Sequence, residues 1–169
     1  MRRILLLCWF CLLGTTPLRA QRSLEDYLPT HREVIQAYLA ANRLMSLAYE
    51  TEWDPRGLEE ERVRRDNLFQ PYYAVADFNR DGREDFAAVF NSSRIERWQG
   101  GRARFNYVCV FHGTAIRPRL INCVRGESAG EGNFYIYEPL NRQLGLWVPD
   151  SDGNSQIALR QGRYTVVAR

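Results

Sequence analysis

The chain contains no lysine: all 23 of its basic residues are arginine, a bias that reads as genome composition rather than as function. It also lacks an excess of charge of one sign once a leader is set aside. The formal net charge of +3 falls to zero when Arg2, Arg3 and Arg19 are removed, which argues against nucleic acid or an anionic membrane surface as a partner. Histidine is nearly absent. His31 and His112 stand far apart in the chain, so a zinc site would need carboxylates to complete it. Neither histidine follows Ser128, so the match of Gly126-Glu127-Ser128-Ala129-Gly130 to a serine-nucleophile pattern has no later histidine to complete it. Gly130 and Gly132 would also break the helix that a nucleophile elbow requires, and the segment reads as a turn.

Long apolar runs are missing everywhere except near the start. Arg2 and Arg3, the run Ile4 to Leu13, and Gly14 to Ala20 have the form of a secretory signal peptide with cleavage after Ala20, too short to span a bilayer. Cys8 and Cys11 lie inside this leader without the small residues a lipoprotein signal places before its cysteine. The expectation is an exported protein, periplasmic or secreted and not membrane-spanning, with residues 21–169 forming one domain large enough for a real core. Only Cys109 and Cys123 would then remain. Each sits in an apolar run, and Gly113 to Pro118 reads as a hairpin connection between them, so a disulfide is expected. A closed loop of this length contributes on the order of 3 kcal/mol in the chain-entropy account.

The fold class predicted is α+β: a twisted antiparallel sheet with an N-terminal amphipathic helix packed on one face. Thr30 and Glu33 form a capping box, and Val34, Ile35, Tyr38, Leu39, Ala41, Met45 and Ala48 recur at helical steps, predicting a helix from His31 to Tyr49. His31, in its first turn, is expected at the surface. Trp53 to Gly57 breaks the pattern, and Leu58 to Leu68 reads as a solvated short helix or ordered loop. From Tyr72 the period changes to two. Strands are predicted over 72–76, 86–91, 104–112, 119–125, 133–138, 143–147, 156–159 and 164–167.

One stretch has residue types and spacing that demand a particular chemistry. In Asp77-Phe78-Asn79-Arg80-Asp81-Gly82-Arg83-Glu84-Asp85, oxygen-bearing side chains occupy positions 1, 3, 5 and 9, with glycine at 6 to let the backbone turn. A hard cation such as Ca²⁺ needs that arrangement. Asp77, Asn79, Asp81 and Asp85 would supply side-chain oxygens and Arg83 its carbonyl. Position 12 is Ala88 rather than a bidentate glutamate, and the flanks read as strands, so this is not an EF-hand. A plain hairpin turn is the simpler alternative, since Asp-Gly between apolar strands needs no ion.

The motif with its following Phe86-Ala87-Ala88-Val89 resembles the calcium loop of FG-GAP and VCBS-type repeats, over residues 72–90. The resemblance implies the ligand set Asp77, Asn79, Asp81, Arg83 and Asp85, with Ca²⁺ as the ion. A second complete copy is lacking, which excludes a propeller of such repeats. The nearer likeness is to small secreted bacterial proteins with one such loop, for which the family implies little about activity.

The function expected is therefore an exported, non-enzymatic calcium-binding module, monomeric, with an unknown protein or carbohydrate partner and a structural ion. Two alternatives stand beside it. One is a hydrolase or inhibitor acting on envelope polymers, with Glu127, Glu131 or Glu138 near an aromatic groove; the other is a metal-free structural protein. Asp150 and Asp152 form half of a second cation pattern that reads first as a turn, and Asn91-Ser92-Ser93 is a glycosylation sequon.

Overall fold

The computed structural model describes residues 23–52, 55–64, 70–98, 100–126, 135–137, 144–147 and 155–167. Its elements are α1 (Pro29–Ala41), β1 (Met45–Leu47), α2 (Pro55–Arg64), β2 (Tyr73–Ala76), β3 (Asp85–Ser92), β4 (Glu96–Trp98), β5 (Gly101–Ala103), β6 (Asn106–His112), β7 (Arg119–Arg125), β8 (Tyr135–Tyr137), β9 (Leu144–Trp147), β10 (Ser155–Arg160) and β11 (Arg163–Val167). Antiparallel sheets with two α-helices make this an α+β architecture.

The central strands β3 and β6 are buried on both faces, and this sets the layering. Phe86, Ala88 and Phe90 of β3, with Cys109 and Phe111 of β6, pack toward Ile35, Val34, Tyr38 and Leu39 of α1. The alternate residues Ala87, Val89, Val108 and Val110 pack the other way, against Ile136, Leu144, Ile157 and Tyr164 of the later strands. Alternation of side chains across a strand produces both contacts from the same two runs. A single sheet was expected. Among the described residues there are three: a five-stranded sheet in the order β1-β3-β6-β7 with β2 also on β3, a four-stranded sheet β11-β10-β9-β8, and the two-stranded hairpin β4-β5.

β1 and β2 share one edge of β3, end to end. Leu47 pairs with Phe90 and Tyr73 with Ala88. The residue between, Val89, donates its N–H to the Tyr72 carbonyl and accepts from the Ala48 N–H, both at 3.0 Å, so the junction leaves neither of its backbone groups unpaired. On the opposite edge β6 pairs with β3 along six residues and then with β7. Cys109 stands directly across from Cys123 in that second pairing, and the two form the expected disulfide.

The N-terminal helix is shorter than its period suggested. It begins with Pro29 at its first position, where a missing N–H costs nothing, and no side chain caps it. The capping box lies upstream instead: Ser23 and Asp26 close a 3₁₀ turn over Leu24–Asp26. Asn42 ends α1 by returning both its amide side chain (2.8 Å) and its own N–H (3.0 Å) to the Tyr38 carbonyl. Met45 to Leu47 then leave the helical path because β3 offers them an edge to pair with. Proline also starts α2 rather than breaking it, with Leu58 turned into the core.

His31 corrects a second expectation. It is not at the surface but 3% exposed, stacked on Phe86 with ring centroids 4.1 Å apart, and its Nδ1 lies 2.6 Å from the Tyr73 hydroxyl. Phe86 is thereby held between His31 and Phe111, the latter stacked at 4.4 Å.

Candidate functional site

The loop 77–84 joins β2 to β3, and its conformation follows from its own side chains. Arg80 (φ 63°) and Gly82 (φ 84°) are both left-handed, which turns the backbone N–H groups of positions 5 to 7 toward the acidic side chains. The Asp81 N–H donates to Asp77 Oδ1 at 3.0 Å and to Asn79 Oδ1 at 2.9 Å, and the Gly82 N–H donates to Asp77 Oδ2 at 2.9 Å. The Arg83 N–H donates to Asp81 Oδ1 at 3.0 Å. The first three acidic or amide side chains of the motif therefore lean over the loop.

Asp85 is placed differently. As the first residue of β3 it is 0% exposed, and its carboxylate accepts from the N–H groups of Phe78 (3.0 Å), Asn79 (3.3 Å) and Gly113 (2.8 Å). The last of these comes from the connection between β6 and β7. Asp85 thus ties the loop to a neighbouring turn. Burial raises its pKa against the pull of those N–H donors. Asp81, fully exposed, moves the other way, held below the usual carboxylate range first by the Asn79 amide that donates to it and then by the N–H and charge of Arg83.

Two residues that the motif did not announce complete the surroundings. Asn79 accepts from a backbone N–H through Oδ1, so its Nδ2 faces the other way and donates to Asp81 Oδ2 (3.0 Å) and to His112 Nδ1 (3.1 Å). An amide NH₂ only donates, so Nδ1 of His112 is the acceptor. The ring proton then resides on Nε2, which donates to the Tyr164 hydroxyl at 2.7 Å. Burial raises the Tyr164 pKa, and the fields of Asp85, Asp77 and Asp81 add to it. Only the histidine at the end of an apolar strand hinted at this chain of contacts; nothing in the spacing pointed to Tyr164, 52 residues further on.

Among the described residues no three His, Cys, Asp or Glu side chains form a metal-holding group, and none of Asp77, Asp81 and Asp85 is ion-paired with an arginine. The oxygens as they stand bond to the loop's own backbone. A carboxylate offers about four acceptor positions. Asp77 and Asp81 each use two, and Asp85 uses three. Acceptor capacity suited to a hard cation is left on each, and on Asn79 Oδ1 as well. Of the other candidates, Glu127, Glu131, Glu138, Ser128, Asp150, Asp152 and the leader 1–20 lie outside the described residues. No helix among the described residues is long and apolar enough to cross a membrane. Comparisons with protein-family models, with curated proteins and with solved structures find no match for this chain.

Proposed function

We propose that this chain is an exported, non-enzymatic calcium-binding module in which Ca²⁺ is structural, stiffening the loop between β2 and β3. Asp77, Asn79, Asp81 and Asp85 would contribute side-chain oxygens and Arg83 its carbonyl, the ligand set that the likeness to FG-GAP and VCBS-type loops implies. The observation that carries the reading is that three carboxylates share one strand connection and, among the described residues, none has an arginine partner, although Arg80 and Arg83 lie between them in sequence. A divalent cation would add to the backbone N–H groups that hold these side chains, using the acceptor positions they leave open. The Cys109–Cys123 disulfide supports the export part of the reading, since such bridges persist in oxidising compartments.

Thermal unfolding in calcium and in chelator tests it. An ion that binds the folded state at about 100 times its Kd stabilises by roughly 2.7 kcal/mol, or about 5–10 °C for a chain of this size. Asp81→Asn keeps an acceptor for the Arg83 N–H while removing one exposed charge. The variant gives up the Asn79 Nδ2 bond to Asp81 Oδ2, so it should melt somewhat below the parent in chelator, and it should lose most of the calcium response. A melting curve indifferent to calcium, or an undiminished response in Asp81→Asn, leaves only a hairpin turn.

A further inference from the structure

The two ends of the β3-β6 ladder are unlike. At one end β3 begins at Asp85, directly after the acidic loop. At the other, the chain leaves β3 at Ser92, runs out through the hairpin β4-β5 and re-enters the sheet at Asn106. The base of this arm is closed by the Ser92 N–H, which donates to the Phe105 carbonyl at 3.0 Å. The turn after α1 joins the same end, where the Leu44 carbonyl accepts from the Ser93 N–H at 2.8 Å and from the Ser93 hydroxyl at 3.1 Å. The eight residues of β3 set the two ends roughly 25 Å apart. Charge is screened over about 8 Å in physiological salt, so the acidic loop has little influence on the arm.

Positive charge and aliphatic surface collect together on this arm. Arg43, Arg94, Arg97, Arg102 and Arg104 are exposed there, and among the described residues none of the five is ion-paired. Glu96, the one carboxylate of residues 93–105, is already engaged: it lies 3.6 Å from Arg125 Nη1 and accepts from the Tyr107 hydroxyl at 3.4 Å. Ala103, the strand partner of Glu96, is buried, so alternation turns the next pair, Arg97 and Arg102, outward and sets them directly opposite each other. Like charges facing across a hairpin weaken it. A face kept only for solubility would intersperse its signs. Leu44 and Ile95 stand at the same end, 58% and 48% exposed. The zero net charge of residues 21–169 is therefore a sum over unlike ends and does not describe this one.

A soluble polyanion would use the arginines and gain nothing from the two aliphatic side chains. An anionic lipid surface takes both, since guanidinium groups pair with phosphates at the headgroup level while aliphatic side chains enter the acyl boundary. We propose that this end of the molecule docks on an anionic phospholipid bilayer, with Arg94, Arg97, Arg102 and Arg104 at the headgroup phosphates and Leu44 and Ile95 in the acyl boundary. The proposal is independent of the calcium reading.

Co-sedimentation of the purified protein with vesicles of phosphatidylcholine alone, or of phosphatidylcholine mixed with phosphatidylglycerol, tests it. Chelator is present throughout, so calcium cannot bridge protein and lipid. The protein should bind the mixed vesicles and not the neutral ones, and added salt should weaken binding. Arg97→Gln/Arg102→Gln/Arg104→Gln should bind on the order of a hundredfold more weakly, from a gain of about fivefold per arginine near the surface. Leu44→Ser/Ile95→Ser should cost about tenfold on the mixed vesicles and nothing on heparin or an oligonucleotide, the soluble polyanions used for comparison. Arg117→Gln/Arg119→Gln, at the opposite end of β6, should bind like the parent. Melting curves confirm that each variant folds. Equal binding to both kinds of vesicle overturns the proposal, as does no vesicle binding at all or a triple variant that binds like the parent. Vesicle binding indifferent to Leu44→Ser/Ile95→Ser overturns it too, and makes the arm a site for soluble polyanions instead.

Discussion

A neutral imidazole suits the surroundings of His31 and a charged one does not. Its ring is stacked on Phe86, its Nδ1 is taken by the Tyr73 hydroxyl, and burial lowers its pKa from 6.5 to about 4. Between those two values the unfolded chain binds a proton that the folded chain refuses. The stability supplied by neutral His31 is therefore complete above pH 6.5 and is lost as the pH falls toward 4, a span that corresponds to roughly 3 kcal/mol at most. Glu84 lies 3.8 Å from Nε2 but is 59% exposed, and so well solvated a carboxylate offsets little of this. Urea unfolding at pH 7.5, 6, 5 and 4.5 should show the parent losing stability that His31→Phe keeps; parallel profiles for the two proteins would refute it. The burial was partly legible. His31, Ile35 and Tyr38 recur at i, i+4 and i+7, which puts the imidazole on the same stripe as the core residues of α1. Its partner was not: Tyr73 lies 42 residues away, and only the docking of the helix on β2 and β3 brings them together.

At the scale of single elements, the connections carry more information than the strands. The spacing of Asp77, Asn79, Asp81 and Asp85 identified the β2–β3 loop, because its bonding is local and written in one short stretch. What that spacing omits is the turn beside it. Gly113 packs so closely that a Cβ there would lie 2.2 Å from the Glu84 carbonyl oxygen and 3.1 Å from its carbon, both backbone atoms that cannot swing aside. Gly113→Ala must therefore push the turn off the loop and weaken the N–H bond to Asp85, costing about 1–3 kcal/mol. Chemical denaturation is the measurement, and a loss below about 0.5 kcal/mol would mean that the two connections move independently. Sequence showed Gly113 only as punctuation between two strands. The need for glycine arises from a contact between elements 28 residues apart, and no local pattern encodes it. The end of α1 failed to be legible for a related reason: Met45 and Ala48 continue the helical period, while the edge of β3 that captures β1 lies more than 40 residues further along.

For the molecule as a whole, the question is how the four-stranded sheet is held to the five-stranded one. Apolar contact supplies most of the attraction, through Val108, Val110 and Val124 against Ile157 and Tyr164. The continuous runs Phe86–Phe90 and Tyr107–Phe111 had the composition of strands covered on both faces, yet periodicity cannot say which later strands provide the second cover. Direction and register come from one side chain. Asn122 of β7 donates to the Tyr164 carbonyl at 2.9 Å and accepts from the Tyr164 N–H at 2.8 Å, replacing a strand partner for that residue. The same tyrosine receives His112 Nε2–H at its hydroxyl, so β6, β7 and β11 meet at Tyr164, and the acidic loop reaches it through Asn79 and His112. Asn122→Ala would strip both backbone groups of Tyr164 of their partner, a loss of about 2 kcal/mol for two partly buried hydrogen bonds. Because the apolar interface remains, this loss should fall unevenly. Amide exchange should quicken along β10 and β11 while β3 and β6 keep their protection, as expected when one cooperative unit loosens from another. Uniform acceleration across both sheets would show instead that they unfold as one unit, with Asn122 contributing to global stability alone.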